Sequence, residues 1–187
     1  MKTYLVTGGS GFIGSNFVRQ MLQNDTNCHI VNLDKLTYAG NPANLVDIEM
    51  DERYSFVHGD ICDTDVVRQI FQQHKPQIII NFAAETHVDR SIGSPDDFIK
   101  TDVFGVFTLL EASKEFGVDL FLQISTDEVY GSIAEGSFCE GDPLLPSSPY
   151  SASKAGGDRL AYSYYVCLLY TSPSPRDLST SRMPSSA

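Results

Sequence analysis

The sequence predicts an α/β protein built on a doubly wound parallel sheet. Three observations carry that prediction. Strand-sized apolar runs alternate with stretches whose apolar residues recur at three- and four-residue spacing, the signature of βαβ units. One run, Gln77-Ile78-Ile79-Ile80-Asn81-Phe82, is nearly continuous, as befits a strand buried on both faces. A glycine-rich turn, Thr7-Gly8-Gly9-Ser10-Gly11-Phe12-Ile13-Gly14, joins the first apolar run to the first helical stretch.

Taken in order, Tyr4-Leu5-Val6 is the first strand, and Phe17, Val18, Met21 and Leu22 mark the apolar face of the helix after the turn. Ile30-Val31-Asn32-Leu33 is the second strand, closed by Asp34. A loop over 35–41 leads to a short helical stretch near 42–50, then to the strand Tyr54-Ser55-Phe56-Val57-His58. Asp63 or Thr64 caps a helix carrying Val66, Val67, Ile70 and Phe71, which ends before Pro76. The 77–82 strand is followed by one long helix over 95–116, with Phe98, Ile99, Val103, Val106, Phe107 and Leu110 on its apolar side. Leu120-Phe121-Leu122-Gln123-Ile124-Ser125 is the fifth strand, and a last helix runs from Tyr150 to about Tyr165. No internal repeat is present.

Composition narrows the function classes. The 187 residues suit about one domain, and the 42% hydrophobic content supplies a core. A formal net charge of -11 argues against nucleic acid and against an anionic membrane surface. No apolar run reaches membrane-spanning length, and the chain enters a strand without the features of a signal peptide. Cys28, Cys62, Cys139 and Cys167 are scattered without metal or disulfide spacing, which fits reduced thiols in the cytoplasm. His87 has no partners at ligand spacing, so it reads as a hydrogen-bonded loop residue, and no metal site is expected. Beyond Val166 the character changes to a Ser/Pro/Arg-rich stretch that cannot bury a core. The domain is therefore set at 1–166. Residues 167–187 are expected to be a disordered tail, either of vector or adapter origin or natural.

The glycine turn has a chemistry. Glycines allow positive φ and close backbone approach, and the free N–H groups of a helix N-terminus attract a pyrophosphate. A plain tight turn is the alternative. Asp34 tips the balance, because an acid at the end of the second strand accepts hydrogen bonds from a ribose diol and repels a 2′-phosphate. NAD is thus expected rather than NADP. Ligands of such sheets lie beyond the carboxyl ends of the strands, where Ala83–Ser91, Ser125–Gly131 and the start of the last helix converge. Tyr150 and Lys154, at i and i+4, share a helical face. An ammonium beside a phenol favours the phenolate, which would let Tyr150 take an alcohol proton as NAD⁺ takes a hydride, with Thr126 bonding the same oxygen. Asp127 and Glu128 are either an acid–base pair or two solvated loop acids. To reach one substrate together, they require the backbone to leave strand geometry after Ser125.

The glycine turn, Asp34-Lys35-Leu36-Thr37-Tyr38-Ala39-Gly40-Asn41, Gly59-Asp60-Ile61 and the 83–91 segment together resemble the extended short-chain dehydrogenase/reductase family. Ser125-Thr126-Asp127-Glu128-Val129-Tyr130-Gly131 and Ser148-Pro149-Tyr150-Ser151-Ala152-Ser153-Lys154-Ala155 resemble the branch of it that dehydrates dTDP-glucose, over about residues 1–165. The resemblance implies an NAD-binding Rossmann fold. It places Gly8, Gly11, Phe12, Ile13, Gly14, Asp34, Lys35, Thr37, Gly40, Asp60, Ile61, Ala83, Ala84, Tyr150 and Lys154 at the cofactor. It implies Tyr150 as the base for oxidation at C4, assisted by Lys154 and Thr126. Glu128 would then remove the C5 proton and Asp127 protonate the departing C6 hydroxyl. Thr86, His87, Thr126, Asp127 and Glu128 would contact the nucleotide sugar. A homodimer through the 95–116 helix and the helix starting at Tyr150 is also implied. A related epimerase or decarboxylase, and a non-catalytic NAD-binding fragment, stay open. Two residues depart from the pattern: Thr86 stands in place of Ser, and Asp102 in place of Asn. The chain also lacks the family's substrate-binding domain, so this truncated form is expected to be inactive alone.

Overall fold

The computed structural model describes residues 1–168. Five strands form one parallel sheet: β1 (Lys2–Thr7), β2 (Cys28–Asp34), β3 (Tyr54–His58), β4 (Ile78–Asn81) and β5 (Leu120–Gln123). Their order is β3-β2-β1-β4-β5, so the winding reverses between β1 and β4. That reversal opens a crevice at the carboxyl ends of the central strands. Pairing of Val6 with both Asn32 and Ile80 brings Thr7, Leu33 and Asn81 to that edge together.

The near-continuous apolar strands follow from burial on both faces. Successive residues enter opposite cores: Leu5, Val31, Leu33 and Ile79 join Phe71, Leu109 and Phe121, whereas Val6 and Ile30 join Val18, Leu22 and Leu45. The first face is covered by α2 (Thr64–His74), α5 (Val106–Phe116) and α6 (Pro149–Leu168), and the second by α1 (Phe12–Asn24).

Local chemistry sets the helix ends. Asp63 caps α2 by accepting from Asp65 N and Val66 N at 3.0 and 3.1 Å. Lys75 then turns left-handed ahead of Pro76, which disfavours a helical residue before it. Gly117, at φ 69°, ends α5. Ser148 and Ser151 cap α6 reciprocally, each backbone N–H donating to the other's hydroxyl at 3.0 Å.

Three expectations need adjustment. The stretch at 42–50 is a single 3₁₀ turn, Pro42–Leu45, followed by non-helical turns. The 83–91 segment contains a short helix, α3 (Val88–Gly93), too brief to show a period in sequence. The 95–116 helix is one rod in three parts: α4 (Pro95–Ile99), a π-helical segment Lys100–Gly105, and α5. The wide turn sits where α6 comes closest, since a Cβ on Gly157 would lie 2.3 Å from the Asp102 carbonyl oxygen. The tail expected over 167–187 lies outside the described residues, apart from Cys167 and Leu168, which the last turn of α6 takes in. Among the described residues no helix is long and apolar enough to cross a membrane, and no group of three or more His, Cys, Asp or Glu side chains is arranged to hold a metal.

Candidate active site

A cavity of about 470 Å³ fills the crevice. Its floor is the glycine turn. Gly8 has φ +67°, and a Cβ there would meet Ala83 N at 2.7 Å; a Cβ on Gly14 would meet Gly8 O at 2.3 Å. Any side chain at either position would push the turn apart. Gly11, the residue before α1, has no side-chain cap, which leaves the first N–H groups of that helix facing the cavity side. Asp34 at the end of β2 is only 7% exposed, and its two oxygens accept from Ser10 N (2.9 Å) and Leu36 N (2.8 Å). It thus braces both the glycine turn and the loop after β2, while its remaining lone pairs line the cavity. On the far wall Lys35 pairs with Asp60 at 2.7 Å. Burial works to raise the Asp60 carboxyl, but the Lys35 ammonium and the Cys62 N–H outweigh it and hold it below the usual range.

At the other end Lys154, 5% exposed, donates from Nζ to Ile124 O at 2.8 Å. Burial pulls its ammonium pKa down, and the carboxylates of Asp102 and Asp158 oppose that pull. Tyr150 stands edge-on to the buried Phe98, with ring centres 6.3 Å apart and planes at 85°. Its phenol is raised above the ordinary value. Burial is the main cause; a hydrogen bond with Thr126 lowers it, and the charges of Glu128, Asp102 and Asp127 raise it further. Lys154 and a bound nicotinamide ring are expected to draw the phenol down together; in the ligand-free protein the ammonium is committed to a carbonyl, and the charges of three carboxylates act against ionisation of the hydroxyl.

The chain leaves strand geometry after β5 as expected. Asp127–Tyr130 is a 3₁₀ turn capped by Thr126, whose hydroxyl accepts from Glu128 N at 3.4 Å and donates to Asp127 Oδ1 at 3.3 Å. Both acids are exposed, and the charge of each acts against ionisation of the Tyr150 phenol.

All the residues expected at the cofactor, from Gly8 through Ala84 to Tyr150 and Lys154, line this one cavity, and Thr86 joins them. Thr126, Asp127 and Glu128 do not line it, but Thr126 hydrogen-bonds the Tyr150 phenol and the two acids act on it by their charge. His87 also lies outside it. It is a hydrogen-bonded loop residue as expected: it precedes α3, its carbonyl accepts from Ser91 N at 3.1 Å, and its ring is stacked on Tyr38 with centres 5.1 Å apart. Sequence reasoning gave no site role to several participants. Ser125 lines the cavity with a buried hydroxyl that has no hydrogen-bond partner among the described residues. Asp102 and Ser153, both buried, are bonded to each other at 2.7 Å behind Lys154. Serine at i−1 from Lys154 was legible only as part of a motif, because its partner lies 51 residues away.

Fold and cavity together define a Rossmann-type α/β domain with a tyrosine–lysine pair at the switch-point crevice. Residues 5–168 match the GDP-mannose 4,6-dehydratase family, and the chain belongs to that family. It is 53% identical over 160 residues to the low-salt glycan biosynthesis protein Agl12 of Haloferax volcanii, covering 86% of this chain and 51% of that protein. It is 50% identical over 165 residues to dTDP-glucose 4,6-dehydratase of Streptomyces niveus, covering 86% and 48%. In structure it resembles the NAD-bound dTDP-glucose 4,6-dehydratase of Streptomyces venezuelae, with a TM-score of 0.86 at 46% identity, covering 91% of this chain and 53% of that one. The chain therefore spans about half the length of the relatives it matches.

Proposed function

We propose that this chain carries the NAD-binding and proton-transfer half of a dTDP-glucose 4,6-dehydratase. The observation that supports the reading is that Tyr150 and Lys154 line the same cavity as the glycine turn, with the charges of Glu128 and Asp127 acting on the Tyr150 phenol. The residues present fit NAD. The glycine turn is a cradle that a Cβ at Gly8 or Gly14 would fill, Asp34 suits a ribose diol, and the orphaned Ser125 hydroxyl suits a polar group of the ligand. NAD⁺, when bound, would supply a hydride acceptor for C4 and a hydride donor for C6, which makes the reaction redox-neutral.

The chain's own groups do the rest. Tyr150 accepts the C4 hydroxyl proton while Thr126 bonds the same oxygen. Its phenol is raised in the ligand-free protein, and the positive charge of an oxidised nicotinamide ring beside it would favour the phenolate. A ketone at C4 acidifies the C5 proton, which Glu128 removes and gives back to C5 as C6 is reduced. Asp127 gives a proton to the C6 hydroxyl as it leaves as water. Thr86 and His87 are assigned to the substrate side. The α4–α5 rod and α6 are assigned to a homodimer contact.

The test joins the chain to the second half of a matching relative and supplies dTDP-glucose with NAD⁺. A product lighter by one water, formed without net NADH, supports the dehydratase; a C4 epimer of unchanged mass overturns it. A second reading is favoured by the half-length coverage: a dinucleotide-binding unit without turnover. Calorimetry with NAD⁺ on the 187-residue chain, followed by an activity assay, separates the two.

A further inference from the structure

Asp102 is a carboxylate with 2% exposure in the middle of the π-helical segment. Its Oδ1 accepts from Glu85 N at 3.1 Å, and its Oδ2 accepts from Ser153 Oγ at 2.7 Å. It therefore ties the loop after β4, five of whose residues line the cavity, to the N-terminal part of α6. The π-helical segment packs closely on α6 at Gly157, where a Cβ would lie 2.3 Å from the Asp102 carbonyl oxygen. Beside it Lys154 is buried with a carbonyl as its hydrogen-bond acceptor, and a carbonyl brings no countercharge. A buried cation needs one. Asp158 also acts on Lys154, but it is paired with Arg159 at 2.7 Å. Asp102 is first among the charges that favour the Lys154 ammonium, and Lys154 favours the Asp102 carboxylate in return.

We propose that Asp102 is a positioning residue acting through Lys154: its clasped carboxylate is the buried counter-charge that holds the ammonium against Ile124 O and leaves that end of the cavity neutral overall. This rests on the reading that the cavity takes NAD. Its consequence concerns the two forms of that cofactor, because the nicotinamide ring is cationic when oxidised and uncharged when reduced. Beside a neutral Lys154–Asp102 pair the oxidised ring meets little repulsion; beside a lone Lys154 it is disfavoured, while the reduced ring is indifferent.

The experiment measures dissociation constants of NAD⁺ and NADH for the unaltered 187-residue chain and for Asp102→Asn, which keeps shape and hydrogen bonding but removes the charge. Asp102→Asn is expected to weaken NAD⁺ relative to NADH by about tenfold, the effect of one unit charge across a partly screened distance. A merely structural role weakens both forms alike; an unchanged ratio overturns the proposal. A pH series on the unaltered chain makes the same test without a substitution. The groups acting on Asp102 are Glu85 from the loop, Lys154 from α6, and Tyr150 and Cys62, whose own ionisation its charge opposes. Burial lifts the Asp102 carboxyl to about 6, so below that pH the ratio moves towards the Asp102→Asn value, and a flat series tells against the idea. Should neither form bind, the NAD reading falls, and the ligand-free phenol decides the rest. The Tyr150 titration, isolated by difference from Tyr150→Phe, is expected to begin at lower pH in Asp102→Asn, and an unmoved onset overturns the counter-charge role.

Discussion

Glu128 and Asp127 occupy adjacent positions, yet the chemistry proposed for them differs, and a single substitution separates them. Glu128→Gln keeps the side-chain length and the N–H bond to Thr126 but removes the base. With oxidation at C4 left intact, turnover in the completed enzyme is expected to fall by about 10²–10⁴, the usual worth of a general base, while reduced cofactor accumulates. Absorbance of the nicotinamide during a single turnover checks it, and unchanged turnover removes Glu128 from the mechanism. Asp102 offers a second test at this scale. Its carboxyl is raised by burial from 3.8 to about 6, so the stability it contributes is present below pH 3.8 and is lost as the pH rises through 6. Thermal melts of Asp102→Asn are expected to gain on the unaltered chain across that window and to run parallel above it. Residue identity was legible where a side chain needs only its neighbours: Tyr150 and Lys154 share a face by spacing alone. It was not legible where the partner is remote. Neither the Asp102–Ser153 bond nor the burial that raises Tyr150 has any local trace.

Elements carry their own tests. The glycine turn admits nothing larger at Gly8, where φ is +67° and Ala83 N would lie 2.7 Å from a Cβ. Gly8→Ala is expected to cost on the order of 1–2 kcal/mol in stability and to abolish measurable NAD⁺ binding, because the displaced turn no longer presents its N–H groups. Chemical denaturation and calorimetry read the two effects separately. The reciprocal cap of α6 predicts a smaller loss: Ser148→Ala removes one acceptor from the first turn, for about 1 kcal/mol, by the same denaturation. Most elements could be read from sequence because strand runs, the Asp63 cap, Gly117 and Pro76 are local signals. The π-helical segment could not. Its apolar spacing continues the helical period on either side, and only the approach of Gly157 to Asp102 O locates the wide turn.

At the scale of the molecule, the doubly wound sheet was legible from alternation alone, and so was the position of the cavity, since a parallel sheet that reverses its winding at β1 and β4 opens there. What covers the outer face of the helical layer has no such rule. Along the α4–α5 rod Ile99, Phe104 and Phe107 are 58%, 49% and 40% exposed, with the last two rings 6.0 Å apart. Large apolar side chains gathered on one rod are costly to leave in water and are a common mark of a protein contact. A two-fold contact between copies would pair that rod with itself, so each substitution acts twice in the dimer. Phe107→Glu is accordingly expected to convert a dimer into a monomer in sedimentation velocity, without lowering the melting temperature of the isolated subunit, because the altered ring is not in the core. Two results would count against the arrangement: an unaltered chain that sediments as a monomer at high concentration, or a Phe107→Glu variant that stays dimeric.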